Sequence, residues 1–316
     1  MNKRLKEILK EYEERKHKII KGDESMNIVV LAGGTSTERE ISIVTGTGVC
    51  KALRQKGHNA ILVDIFCGLE PVDWDEPFGD KDYEVDSAAE YMRSFDDDIE
   101  EIKRTRRRFF GPNVLELCQT ADIVFMGLHG SNGEDGKVQA TFDLLGIRYT
   151  GTGYLSSALA MDKGLTKKIF LMDGVPTPKG VSMLKENCTR DIHDLGMEFP
   201  VVVKTCCGGS SVGVYIVNNQ KEYEDAIDGA YSYEDEVVVE EYIKGREFSV
   251  AVVDGKAYPI IEIAIHSGDL SGRDFTGAHR KNAALRRSRG KSSLHRRICS
   301  PGLHDEGEWR HVLPGG

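Results

Sequence analysis

From residue 26 onward the apolar positions fall into two rhythms. Short continuous runs, NIVVLAGG and then NAILVDIF, have the length and β-branched content of buried strands. Between them, SIVTGTGVCKALRQKG carries apolar residues at helical spacing. Strand, helix and strand in that order predict a parallel α/β layer. The rhythm returns at ADIVFMGLHG, and further strands are predicted at IRYTG, FPVVVKT, SVGVYIV, EVVVEEYI, EFSVAVVDG and KAYPIIEIAI, with helices after Ser156 and after Lys221. Between Pro71 and Arg108 apolar residues are sparse and acidic ones dense, which reads as a loop plus a polar helix. The first 25 residues set Leu5, Ile8, Leu9 and Tyr12 at helical spacing in a charged segment, an appended amphipathic helix. Met26, directly before the first strand, is an alternative start. No internal repeat is visible.

Composition narrows the class. At 316 residues, 40% hydrophobic and 29% charged, the chain is long enough for two or three domains with proper cores. No stretch approaches the ~20 apolar residues of a membrane span, and MNKRLKEILKEYEERKHKII is too charged for a secretory signal, so a cytoplasmic globular protein is expected. The seven cysteines are odd in number and form no C-x-x-C pair, which indicates neither a disulfide framework nor a zinc site. A net charge of -9 argues against wholesale nucleic-acid binding. The balance is uneven, because residues 266–316 carry 10 Lys+Arg against 5 Asp+Glu, leaving -14 for residues 1–265.

Five features carry candidate chemistry. The turn LAGGTSTERE follows the first strand, where glycines admit close backbone approach and a helix N-terminus attracts anions. Glu38 stands at that mouth, placed to hold an ammonium group or simply to serve as an N-terminal helix charge. HGSNGEDG, residues 129–136, follows the strand IVFMGL, so His129 lies at a strand's carboxyl end, where open α/β sheets bind ligands. The third feature is YTGTGYLSSALAMDKGLTKKIF, with Lys163 followed by Lys167 and Lys168; lysine suits phosphate, though most surface lysines are only solvated. FPVVVKTCCGGSSVGV sets Lys204 at a strand end before a Gly-Gly-Ser-Ser loop whose N–H groups can cradle phosphates, or which is a plain hairpin turn. It lacks the Walker A spacing. Last, VVVEEYIKGREFSVAVV carries Glu240, Glu241 and Glu247 around a strand end, suited to an adenine amino group and ribose hydroxyls or to water alone.

Taken together and in order, GGTSTEREIS, HGSNGEDGKVQ, YTGTGYLSSALAMDK, PVVVKTCCGGSSVGV and EEYIKGREFSV resemble the D-alanine:D-alanine ligases of the ATP-grasp superfamily, over about Asn27 to Ile265. The resemblance implies an α/β and α+β fold: an N-terminal parallel α/β domain over 26–148, a central ATP-grasp subdomain over 149–236 and the start of a C-terminal one over 237–265. It implies ATP as cosubstrate, phosphorylation of a carboxylate to an acyl phosphate, attack by an amine, and D-alanine as both acid and amine. Carried over by position, Glu38 orients the first D-alanine's ammonium through a chain that includes Ser210, and His129 lies near that substrate's carboxylate. Lys163 and Lys204 bind ATP phosphates, with Ser211 in the loop closing over them; Glu240, Glu241 and Ile243 frame the adenine and Glu247 the ribose. Thr205 departs from the proline usual after that lysine, which bears on loop stiffness. A homodimer is compatible with the family, and no membrane or nucleic-acid partner is implied.

The larger departure begins at Ile265. The family continues with a Tyr/Lys loop, a helix, and a strand ending in Glu-x-Asn that holds two Mg²⁺ (or Mn²⁺) ions, and none of these ligands is visible. Residues 266–316 read as a basic tail without periodicity, expected to be disordered. Read one base later, codons permitted for LHDEGEWRHVLPGG can encode FMMKGNGDMFYLE, and HRKNAALRRSRGKSSL an amphipathic helix, both like the missing segment. A change of reading frame near Ile265 therefore explains the tail better than a new domain. Impaired ligase activity is the expectation. The alternatives are an ATP-grasp ligase with D-lactate or D-serine as second substrate, and a non-catalytic nucleotide-binding remnant.

Overall fold

The computed structural model describes residues 25–79, 82–208 and 213–263. The appended helix expected over 1–25 therefore lies almost wholly outside the described residues, as do Ser210, Ser211 and the tail 266–316. Two compact units meet in sequence at Glu241 and Tyr242.

The first unit opens with a three-stranded parallel sheet in the order β2-β1-β3, built from β1 (Asn27–Ala32), β2 (Asn59–Asp64) and β3 (Ile123–Met126). Because side chains alternate across a strand, β1 feeds two cores at once. Val29 and Leu31 pack with α4 (Val114–Thr120) and α5 (Lys137–Leu145) through Val114, Leu117, Val138 and Phe142. Ile28, Val30 and Ala32 face the other way, onto α1 (Arg39–Gln55) and α2 (Val85–Arg93) through Ile43, Cys50, Leu53, Ala89 and Met92. A sheet covered on both faces needs near-continuous apolar strands, which is why NIVVLA and NAILVD contain no internal charge. The acidic stretch holds two helices rather than one, α2 and α3 (Ile99–Thr105).

After α6 (Tyr154–Met161) and α7 (Lys163–Met172), the unit adds an antiparallel sheet in the order β4-β7-β5-β6. Its strands are β4 (Gly180–Leu184), β5 (Val201–Thr205), β6 (Val214–Val217) and β7 (Glu236–Glu241). Val201, Val203, Val237 and Val239 pack beneath α8 (Gln220–Ala230) with Tyr223, Ala226 and Ile227. The register pairs Lys204 with Val238 and Val202 with Glu240, so Lys204 and Glu240 share the opposite face. Gly164 of α7 reaches that face closely: a Cβ there would lie 2.9 Å from the Ser182 Cβ.

The second unit contains β8 (Glu247–Ser249) paired antiparallel with β11 (Ile261–Ile263), and a hairpin of β9 (Val252–Val253) and β10 (Lys256–Ala257). The hairpin turns through Asp254 and Gly255, both at positive φ, the backbone that a two-residue turn between twisted strands requires. Phe248, Val252, Ile260 and Ile261 are exposed.

Several expectations change in detail. IRYTG is not a strand: Tyr149 makes a single parallel bridge to Val124. EFSVAVVDG and KAYPIIEIAI each divide into two short strands, and the helix after Ser156 is two helices separated at Asp162. Among the described residues no helix is long and apolar enough to cross a membrane.

Candidate active site

The first cluster grows from the sheet order. With β1 central, the chain leaves it toward β2 on one side and later returns as β3 on the other, so β1 and β3 flank the point where winding reverses. Loops at their carboxyl ends enclose the crevice in which open α/β sheets bind ligands. GGTSTE leaves β1 there, and HGSNGEDG lies in the connection from β3 to α5.

Hydrogen bonds join the two loops. Ser36 Oγ donates to the His129 carbonyl at 2.7 Å and accepts from the Glu38 N–H at 3.2 Å, and Ser42 Oγ of α1 donates to the Gly127 carbonyl at 2.8 Å. His129 Nε2 lies 3.1 Å from Thr45 Oγ1. A Cβ at Gly130 would lie 2.9 Å from Glu38 Oε2, so the Glu38 carboxylate and the histidine loop border one small space. Glu134 closes the loop from behind, accepting from the Gly130 N–H at 2.7 Å.

The Gly33-Gly34 turn has a second reason for its glycines. Both residues adopt positive φ, and a Cβ on Gly33 would fall 2.3 Å from an Asp64 carboxylate oxygen. Asp64 is fully buried; it accepts from the Phe66 and Cys67 N–H groups at 2.8 and 2.9 Å and pairs with Arg39 Nη1 at 2.6 Å. Arg39 in turn donates to the Gly34 carbonyl at 3.0 Å. This ion pair shapes the turn from below and sets where α1, and with it Glu38, begins.

The second cluster lies on the outer face of the antiparallel sheet. Glu240 sits between two lysines, accepting from Lys204 and from Lys167 of α7, the latter at 2.9 Å. Burial pushes the Glu240 carboxyl up, but the hydrogen bonds and charges of the two lysines outweigh it and hold the group below its ordinary range. Lys167 also donates to Thr177 Oγ1 at 3.1 Å and to the Pro178 carbonyl. Lys163, at the first position of α7, donates to the carbonyls of Cys206 and Gly208 at the end of β5. Burial, and next the neighbouring charge of Lys204, lower its pKa. Lys163 and Lys204 therefore flank the same strand end, where paired cations suit an oligophosphate.

The sequence-derived candidates sort accordingly. Glu38 and His129 meet at the first cluster, and Lys163, Lys204 and Glu240 at the second. Glu241 is exposed and tied to the Lys179 backbone, accepting from its N–H at 2.8 Å. Ile243 and Glu247 belong to the second unit, both exposed, and Ser210 and Ser211 lie outside the described residues. Residue chemistry alone did not single out Ser36, Thr45 or the Arg39–Asp64 pair. Lys167 stood out only as one of two lysines after Lys163, and its bond to Glu240 depends on strand register.

Mg²⁺ takes an all-oxygen shell, whereas the one cluster of three metal-ligating side chains among the described residues is Asp162, Cys206 and Cys207.

A parallel α/β layer with a loop-lined crevice, followed by an antiparallel sheet bearing a lysine cluster, is the architecture of the ATP-grasp ligases. Solved structures agree: the D-alanine–D-alanine ligase of Bacillus anthracis complexed with ATP matches at 31% identity and a TM-score of 0.54, over 77% of this chain and 67% of that one. The profile of the D-ala D-ala ligase N-terminus matches residues 27–152 and that of its C-terminus residues 171–282. D-alanine–D-alanine ligases of Lacticaseibacillus casei (strain BL23) and Pediococcus pentosaceus are each 42% identical over 77% of this chain, covering 68% and 70% of their own lengths. The chain belongs to the D-alanine–D-alanine ligase family and spans about two thirds of the length of these relatives. The C-terminal match runs past Ile265 to residue 282, further than the motifs alone reach.

Proposed function

We propose that the chain binds ATP phosphates at the Lys163–Lys204 cluster and D-alanine at the Glu38–His129 mouth. The reaction for which this arrangement is built is the joining of two D-alanines for peptidoglycan precursors in the cytoplasm. One D-alanine carboxylate attacks the γ-phosphorus of ATP, ADP departs, and the amine of a second D-alanine displaces phosphate from the resulting D-alanyl phosphate. Glu38 holds the first ammonium, with Ser210 in the same chain of hydrogen bonds, and His129 neighbours its carboxylate. Lys163, Lys204 and the Ser211 loop hold phosphate oxygens; Glu240, Glu241 and Ile243 frame the base, and Glu247 the ribose. Residues 26–148 serve as the substrate domain and 149–236 as the central nucleotide subdomain. The supporting observation is the convergence of Lys163 and Lys204 on the end of β5, with Glu240 pairing Lys204.

Phosphoryl transfer is the impaired step in this reading. Two anionic reactants repel unless the charge developing between them is stabilised, and Mg²⁺ supplies that in the family. The one cluster of three metal-ligating side chains among the described residues, Asp162, Cys206 and Cys207, is not the all-oxygen set that Mg²⁺ takes. The test measures ATP affinity by calorimetry and D-alanine-dependent ADP release by a coupled assay on the purified chain. Binding weakened at least about tenfold by Lys163→Ala, roughly the worth of one charge-assisted hydrogen bond, is expected, together with no ADP release. Unchanged affinity in Lys163→Ala removes the assignment of the phosphate site, and sustained turnover removes the impairment.

A further inference from the structure

The spacing of the cysteines along the chain gives no sign of a metal site, because Cys206 and Cys207 are adjacent rather than separated by two residues. Folding changes their company. Asp162 ends the link between α6 and α7, and the start of α7 lies against the end of β5, so one carboxylate oxygen and the two thiol sulfurs come within 4.8 Å of one another. With Zn–S bonds of about 2.3 Å and a Zn–O bond of about 2.1 Å, a tetrahedral ion needs its ligand atoms about 3.5–3.8 Å apart. Side-chain rotations of an ångström or so close that difference.

The donors are anchored independently of any ion. Asp162 caps α7, its Oδ1 accepting from the Leu165 N–H at 2.8 Å and from the Cys206 thiol at 3.0 Å. Cys206 is buried; its sulfur accepts from the Gly164 N–H at 3.4 Å, and its backbone bonds the Glu236 carbonyl at 3.2 Å and the Lys163 N–H at 3.0 Å. The Cys207 N–H donates to Glu234 Oε2 at 2.8 Å. Cys207 itself is exposed and Asp162 half-buried, which leaves an open side for entry and for a water as fourth ligand.

Two sulfurs and one carboxylate oxygen form a donor set for a borderline-soft cation. We propose that Asp162, Cys206 and Cys207 form a binding site for a thiophilic divalent cation of the Zn²⁺ type, beside Lys163. Binding releases two thiol protons and leaves a complex of net charge -1, formed from one dication, two thiolates and one carboxylate. Lys163, whose charge already acts on Cys207, offsets it. The inference depends on these side chains alone and not on the ligase reading.

The test uses the full chain, reduced and stripped with a chelator, then titrated with Cd²⁺ or Co²⁺ in the absence of nucleotide. Expected are one ion per chain with a thiolate-to-metal charge-transfer band, displacement by Zn²⁺, and protection of Cys207 from iodoacetamide in peptide mapping. Cys207→Ser and Asp162→Asn are expected to weaken binding at least tenfold, whereas Cys118→Ser, in the α4 core, leaves it unchanged. Because Cys207 is exposed, Cys207→Ser decides the matter even if Cys206 variants fail to fold. A chain that shows no thiolate band, or a Cys207→Ser chain that keeps full affinity and the band, overturns the site.

Discussion

Replacing Glu240 by alanine removes the one carboxylate shared by Lys167 and Lys204. The side chains of Glu240 and Lys167 are 11% and 8% exposed, and Lys204 is 21% exposed, so the variant strands two ammonium groups where water reaches poorly. Breaking a buried pair by deleting one partner costs about 3–5 kcal/mol. Two features move this case to the lower end. Lys167 keeps the Thr177 hydroxyl and the Pro178 carbonyl, and Lys204 is exposed enough to turn toward solvent. A loss of about 3 kcal/mol follows, and with a urea dependence of about 3 kcal/mol per molar the midpoint falls by about 1 M. Far-UV circular dichroism in urea at neutral pH measures it. Adding Lys167→Met to Glu240→Ala removes one stranded charge and is expected to recover part of the loss, a coupling that two independent sites would not show. A midpoint shift below about 0.3 M, roughly a third of that expected, would refute this assignment of the cluster's stability.

Other perturbations test the same architecture. Because the Glu240 carboxyl is depressed in the folded chain, its contribution is complete above the unfolded value of 4.5 and disappears as pH falls through the lower folded value; Glu240→Gln should therefore flatten the acid side of a stability-pH profile measured by urea titration. Asp64→Ala leaves Arg39 without its buried partner and the Gly34, Phe66 and Cys67 N–H groups without their acceptor, at a cost of about 4 kcal/mol. A melting temperature lower by about 10 °C in thermal circular dichroism is the corresponding signal. Gly136→Ala puts a methyl at φ +84°, 2.2 Å from the Tyr154 carbonyl, which costs about 3 kcal/mol in strain and crowding. Faster amide exchange in residues 129–136 and at the start of α6, by mass spectrometry, registers the loosening.

Much of the framework was legible before folding because its signals are local. β1 and β2 are uninterrupted apolar runs, and a sheet covered on both faces admits little else. β4 escaped notice because GVSML buries only Met183 and becomes a strand only by pairing along β7. IRYTG shows the reverse, an apolar run that meets its neighbour at one bridge and goes no further. The Glu38–His129 mouth was readable from two glycine-rich loops that each follow a strand. What could not be read is which strands sit side by side, and so that Ser36 would bond the His129 carbonyl. The Lys167–Glu240 bond likewise requires the β5–β7 register and the close seat of α7 that Gly164 permits.

As the proposed phosphate site, the lysine cluster also bears on how selectively an anion would be received. A free lysine side chain gives up about 2 kcal/mol of rotamer entropy when fixed. Lys163, Lys167 and Lys204 have already lost that freedom through bonds to carbonyls, a hydroxyl and Glu240. An arriving polyanion thus finds its donors parked in position, and what it must overcome is the exchange of their present acceptors for its own oxygens. Such a site discriminates by geometry more than by net charge, favouring ligands whose oxygens match the spacing of the lysines over loosely placed counter-ions of equal valence.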